Sequence, residues 1–300
     1  MDRFHLMTVF VAVAEAESFS AGARRLGISA PAVTRAVATL EARLGTKLLS
    51  RTTRFVRVTE AGQRYLESSK RVLADADEAD EIAAGINSEP RGHLAVTAPV
   101  MFGRLHVTPG ILSFLEHYPE MEVSAMFVDR VVNLLEEGLD VGVRIGELPD
   151  SSMRARRVGT VRRVVCAAPD YLRQQDVPIH PRQLTEHALI AASGVSPTSE
   201  WKFMHNNQSL AIRARPRLNF NNNDAAIAAA VAGQGITRLL SYQIAPQLEN
   251  GELQVILNDY EPHPLPVHIV HREGRHTSAK VRAFVDLIAQ QIHESLSFNS

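Results

Sequence analysis

The stretch Ser18-Phe19-Ser20-Ala21-Gly22-Ala23-Arg24-Arg25-Leu26-Gly27-Ile28-Ser29-Ala30-Pro31-Ala32-Val33-Thr34-Arg35 constrains this chain more than any other. It reads as two short helices joined by a tight turn. Ser20 is placed to accept a hydrogen bond from free backbone N–H groups and so to start the first helix. Ala21, Ala23 and Leu26 give that helix an apolar face. Gly27 stops it, because glycine enters the left-handed backbone region without steric cost. Ser29 is a second N-cap, and Pro31 falls in the next helix's first turn, where its missing N–H is no loss. Val33, Val37, Leu40 and Leu44 then recur at spacings of four, three and four, which predicts one buried stripe. Thr34, Arg35 and Ala38 fall off that stripe and are expected to face outward.

The N-terminal end of the second helix, Ser29, Ala30, Pro31, Thr34 and Arg35, offers hydroxyls, a guanidinium and unpaired amides. Those groups suit base edges and phosphates. The run Leu48 to Val58 follows, two strand-like pieces around a basic turn that holds Arg51, Thr53 and Arg54, the pattern of a wing. A helical hairpin with a solvated charged face is the alternative. Caps, turn glycine, core stripe and basic wing agree with one another, which favours a nucleic-acid reader.

Charge is distributed to match. The formal net charge is −1, but residues 1–70 hold eleven Lys/Arg against six Asp/Glu, and residues 71–90 hold one against six. Only the N-terminal part suits a polyanion. Three hundred residues are enough for two or more domains.

The segment resembles the N-terminal domain of the LysR-type transcriptional regulators. The resemblance rests on Ser18-Phe19-Ser20, Arg25-Leu26-Gly27-Ile28-Ser29, Leu40-Glu41, Leu44-Gly45, Leu48-Leu49, Arg51-Thr52 and Thr59-Glu60-Ala61-Gly62, in order and in spacing. It continues through essentially the whole chain. It implies that Thr34 and Arg35 reach bases or phosphates and that Arg51, Thr53 and Arg54 hold a wing on the backbone. Duplex DNA with dyad symmetry is the implied partner, and RNA polymerase stands as a further candidate.

Thr59 is expected to cap a long helix running to about Asn87, although Gly62 stands where a capping box would carry Glu or Gln. Tyr65, Val72, Ala79 and Ile86 recur every seven residues, with Ser69, Ala76 and Ala83 between them. Such a seam suits helix–helix pairing between two copies. Packing on its own domain is the alternative, and the resemblance implies a dimer, with a tetramer made through the C-terminal part. Pro90 and Gly92 end the helix.

Residues 93–300 alternate strand and helix, which implies an α/β fold. A helix over Val131–Glu137 is among the expected elements. The resemblance implies a winged helix-turn-helix (1–59), a linker helix (60–87), a hinge (88–92) and a two-lobed, periplasmic-binding-protein-like effector domain (93–300). Lobe I takes about 93–162 and 267–300, lobe II about 163–266. Small ligands bind where strand C-termini meet helix N-termini. That points to Thr97–Phe102 (Thr97, Pro99, Met101 and Phe102 above all), Val128–Arg130, Arg144–Gly146, Asn222–Asp224 with Asn223, and Thr237, and to the Ser193–Ser199 loop. Hydroxyl, guanidinium and amide groups among them fit an anionic effector. Asn223 has a competing role as N-cap of its helix, and Arg144 as a partner of Glu147.

Nothing in the sequence points to catalysis or a cofactor. There is no Gly-x-Ser-x-Gly elbow and no phosphate loop. His268 and His271 would point to opposite faces of a strand, a poor metal site, and His263 and His276 read as solvated. Cys166 stands alone in an apolar run and reads as a buried thiol. Asp2, Glu15 and Glu17 argue against a signal peptide, and no apolar run is long enough for a bilayer, so a cytoplasmic protein is expected.

Overall fold

The structure, a computed structural model, describes residues 2–51, 56–83, 89–149, 153–192, 200–272 and 278–297. The chain divides into two compact units, Met1–Ser88 and Glu89–Ser300.

The first unit holds α1 (Arg3–Ala16), α2 (Phe19–Leu26), α3 (Ala30–Leu44), the antiparallel pair β1 (Leu49–Arg51) and β2 (Val56–Val58), and α4 (Glu60–Ala83). Phe10, Val13, Val33, Val37, Leu40 and Leu48 form its core. Ser29 caps α3 by accepting from Ala32 N–H, and Gly27 ends α2 at φ 65°. The cap of α2 is Ser18, not Ser20: its hydroxyl accepts from Ala21 N–H at 3.3 Å. Leu44 also departs from expectation, being 36% exposed. Glu41 takes its place inside, accepting from the backbone N–H groups of Leu48 and Leu49 at 3.0 and 3.1 Å and from Lys47 Nζ at 2.7 Å. The chain turns back over the last turn of α3, and its two amides need an acceptor more than the core needs another leucine. Burial pushes the Glu41 carboxyl up, but Lys47 and the two amides outweigh it, so it lies below the usual carboxylate range.

The second unit contains two five-stranded sheets. It comprises β3 (Gly92–Ala98), α5 (Val100–Phe102), a π-helical turn (Gly103–Val107), α6 (Thr108–His117), β4 (Met121–Phe127), β5 (Val141–Ile145), β6 (Arg154–Val161), β7 (Arg163–Ala167), α7 (Pro169–Gln175) and β8 (Leu189–Ala192). Then follow β9 (Glu200–His205), β10 (Gln208–Arg213), β11 (Leu218–Phe220), α8 (Asn223–Val231), β12 (Ile236–Leu240), α9 (Ala245–Glu249), β13 (Gln254–Ile256), β14 (Leu265–His271) and α10 (Ala279–Ser297). The first sheet has the order β4-β3-β5-β14-β6 and the second β11-β8-β12-β7-β13. A hairpin of β9 and β10 covers the second sheet with Trp201 and Phe203, beside Val165 and Ala167. β14 returns the chain to the first sheet, antiparallel to β5 and β6. Arg162, at the crossing between sheets, pairs with Glu261 at 3.1 Å, and its backbone carbonyl accepts from Ser241 N–H at 2.9 Å.

Val131–Glu137 is not helical. Asn133 Oδ1 accepts from Leu135 N–H at 3.0 Å, a local bond that competes with a helical turn. Val131 and Leu135, 86% and 61% exposed, find no core to pack on.

Candidate DNA-contacting surface and effector cavity

In the first unit, Val33, Ala36, Val37 and Leu40 turn one face of α3 inward. The opposite face therefore points out. Ser29, Pro31, Arg35, Ala38 and Thr39 are exposed, and Ala30 and Thr34 are half-buried. Arg35 makes no side-chain hydrogen bond or ion pair among the described residues. By contrast, Arg25 is engaged: Glu15 accepts from Arg25 and from Lys70, each at 2.5 Å, tying α1 to α2 and α4. Arg35 is thus an unengaged cation on the exposed face of a capped helix. Arg51 closes the β1–β2 ladder opposite Val56, and Thr53 and Arg54 lie outside the described residues.

Thr59 caps α4, its hydroxyl accepting from Gly62 N–H at 2.9 Å. Gly62 is required here by close approach. A Cβ at that position would lie 2.0 Å from the Leu48 carbonyl oxygen. The first turns of α4 pack on α1: Tyr65 lies 5.6 Å from Phe10, and Leu66 and Ser69 are buried. The Tyr65 ring, expected in a dimer seam, is thus a contact within its own unit. Val72, further along, is 40% exposed. Ile86 lies outside the described residues, as does the side chain of Ala79.

In the second unit, a cavity of about 230 Å³ opens between the two sheets. Pro99, Asp129, Ile145 and Leu265 come from the first-sheet side; Arg163, Arg238, Leu240 and Tyr242 come from the second. Asn221, Asn222 and Asn223 line it where β11 passes into α8. Of the segments anticipated for an effector, Pro99, Asp129, Ile145, Asn222 and Asn223 are on this wall. The helix cap is Asn222, whose Oδ1 accepts from Ala225 N–H at 2.8 Å. Asn223 is thereby released from that duty.

The other anticipated residues are not part of the lining. Thr97 and Thr237 are buried within their sheets, 1% and 0% exposed. Thr237 stands near the beginning of β12, whereas the cavity meets its end, at Arg238 to Leu240. Met101 and Phe102 belong to the core, with Phe102 packed edge-on to Tyr242 at 5.2 Å. Arg144 donates to the Val132 and Val143 carbonyls at 3.1 and 3.3 Å, so its guanidinium holds its own backbone. Gly146, at φ 114°, donates its N–H to the Pro266 carbonyl. Ser193–Ser199 lies outside the described residues.

Sequence reasoning missed Arg163 and Arg238. In the β7–β12 ladder Leu240 faces Arg163 and Arg238 faces Val165. By strand alternation the two arginines lie diagonally on one sheet face. Arg238 sits over the Trp201 ring, 5.0 Å from its centroid, and donates to the Lys202 carbonyl at 3.3 Å. Neither arginine has a carboxylate partner among the described residues. Burial lowers the pKa of Arg163, and burial with repulsion from Arg163 lowers that of Arg238 to about 9, still cationic at neutral pH. Asp129 also lines the cavity, with Oδ1 committed to Val100 N–H at 3.0 Å. Beneath Tyr242 lies His106, 5.4 Å ring to ring, its Nδ1 2.8 Å from Ser295 Oγ of α10.

A helix-turn-helix unit with a hairpin wing, joined in one chain to a two-sheet α/β unit with a cavity between the sheets, defines a ligand-responsive DNA-binding regulator. Comparison with known proteins places it. Residues 4–63 match the model of the bacterial regulatory helix-turn-helix protein, lysR family, and residues 87–292 match the LysR substrate binding domain. The chain belongs to the LysR-type transcriptional regulators. It is 32% identical to an HTH-type transcriptional regulator of Haemophilus influenzae, covering 94% of this chain and 98% of that one. It is 31% identical to the HTH-type transcriptional activator AaeR of Escherichia coli, over 98% of this chain and 95% of the relative. The full-length structure of the Vibrio cholerae virulence activator AphB superposes with a TM-score of 0.61 at 26% identity, covering 96% of this chain and 99% of that one. The family comprises regulators, not enzymes, and this chain is a DNA-binding transcriptional regulator with an effector-binding domain. No described helix is long and apolar enough to cross a membrane.

Proposed function

We propose that α3 is the recognition helix, with Ser29, Ala30, Pro31, Thr34 and Arg35 at the DNA and Arg51, Thr53 and Arg54 on the adjoining wing. The observation that carries this reading is Arg35: exposed, unengaged, and on the face of α3 opposite its buried stripe. Residues 1–59 act as the DNA-binding domain in the cytoplasm, residues 60–87 pair two copies, residues 88–92 form a hinge, and residues 93–300 carry the effector domain, which takes dimers to a tetramer. The operator then has dyad character, because two-fold partners read paired half-sites.

The cavity between the sheets is the effector site, and its guanidinium groups favour a ligand of negative charge. A ligand that binds the open and closed arrangements of the two lobes with different affinity shifts the balance between them and so alters operator binding. The test of the DNA surface is a gel shift on fragments that the full-length protein enriches from genomic DNA. Arg35→Ala should weaken binding by roughly 1–3 kcal/mol if the side chain reads a base. Unchanged affinity would remove Arg35 from the interface, and with it the observation that carries this reading.

A further inference from the structure

Resting on the reading of the cavity as the effector site, we propose that the effector is a small monocarboxylate. Its charge is held by the Arg163–Arg238 pair and its apolar body lies against Ile145, Leu240 and Leu265. Three observations converge on this class. The two guanidinium groups share one sheet face and one cavity wall, and neither has an acidic partner among the described residues. Two desolvated cations side by side are held at a cost, and an anion between them removes it. Arg238 is fixed in place by Trp201 beneath it and by the Lys202 carbonyl, so one half of the clamp is preorganised.

The count of charges sets the valence. Among the described residues the wall carries Arg163 and Arg238 against Asp129, and no lysine or histidine, so one negative charge on the ligand brings it to neutrality. A dianion would leave an excess charge in a partly dry site. Size sets the rest. At about 230 Å³ the cavity falls below the ~300–1,000 Å³ usual for drug-sized ligands, which fits a body of about one ring and excludes a nucleotide.

Trp201 is the only tryptophan in the sequence, and it stacks under Arg238, so the full-length protein carries its own reporter. Propionate, hexanoate, benzoate and 2-naphthoate, each with its amide, and the dicarboxylate phthalate are titrated against Trp201 emission. At least one acid should bind at least tenfold more tightly than its amide, and Arg163→Gln should abolish that difference. In the ligand-free protein Arg163→Gln should leave the melting temperature unchanged or higher, because it removes an unpaired cation. A lowered melting temperature would make Arg163 a structural residue and overturn the proposal. So would amides that bind as well as acids, phthalate binding where the monocarboxylates fail, or no acid binding at all. Asn223→Phe separates this class from the site itself and leaves Trp201 the only tryptophan: acid binding that survives a phenyl ring filling the cavity would sink the cavity as the effector site.

Discussion

Arg104 Nη2 lies 3.1 Å from Asp224 Oδ1, joining the π-helical turn beside the first sheet to the first turn of α8 beside the second. The pair spans the two lobes at the cavity, next to Asn223 on its wall. Both side chains are more than half exposed, at 59% and 57%. An exposed pair of this kind contributes about 0.2–1 kcal/mol and is screened by salt. It is therefore strong enough to trim the balance of lobe closure by a few-fold and too weak to lock it. Arg104→Asp should widen the distribution of distances between spin labels placed on the exposed Glu116 and Gln174, and adding Asp224→Arg should narrow it again. Cysteine labelling is practical because the native Cys166 is buried and its thiol is pushed up to about 12. Identical distributions in all three proteins would show that the pair has no part in closure.

The second prediction concerns acid. His106 is 7% exposed, ringed by Phe102 and Tyr242 and bonded to Ser295. Burial lowers its pKa from 6.5 to about 4. The unfolded chain binds a proton at pH 6.5 and the folded chain only near 4, so stability is full above 6.5 and is lost as pH falls between those values. The loss is of order 3 kcal/mol, at ~1.4 kcal/mol per unit. Urea melts of the effector-domain transition at pH 7.5 and pH 5 should show the first part of this loss, about 2 kcal/mol, in the native protein and a flatter profile in His106→Gln. Parallel profiles in the two proteins would mean that His106 does not titrate against folding.

The cap residues, most of the α3 stripe and the strand–helix alternation of residues 93–300 were legible because they depend on neighbours a few residues away or on strand and helix periods, whereas the division into two lobes was implied by the family resemblance. Ser29 and Gly27 stand where local chemistry puts them, while Ser18 caps α2 in place of Ser20 and Leu44 leaves the stripe to Glu41. The effector wall was not legible in the same way. Arg163 and Arg238 meet only because β7 pairs with β12, a long-range register that no local pattern states. Thr97 and Arg144 had the right chemistry for an anion, but one is sealed within its sheet and the other is spent on backbone carbonyls. The Asn222–Asn223 exchange of roles is a one-residue shift at a helix start, and it decides which amide is left for a ligand.

Gly62 offers a test of packing against conformation. An added methyl there would meet the Leu48 carbonyl oxygen at 2.0 Å and Val58 Cγ1 at 2.8 Å, so backbone must move. At Gly27 the added methyl would meet nothing within 4 Å, and only the left-handed φ of 65° opposes it. Gly27→Ala should cost about 1–2 kcal/mol. Gly62→Ala should cost more, about 3 kcal/mol, at the upper end of overpacking penalties. Thermal melts of the two variants compare them directly, and a Gly62→Ala protein as stable as Gly27→Ala would refute the close approach.

Val72 tests what lies along α4. Tyr65, Leu66 and Ser69 form a stripe on the face that α4 turns to α1, and the helical repeat carries that stripe on to Val72. There its cover ends, and Val72 is 40% exposed while Ser69 is fully buried. A second copy of the helix, laid along the uncovered part, would shield it. Val72→Glu places a charge on that line without touching the core of the first unit, so the monomer should keep its melting temperature. Sedimentation should show a smaller species, and operator affinity should fall because half-sites are no longer read together. A variant that sediments as the native protein does would place the dimer contact elsewhere on the chain.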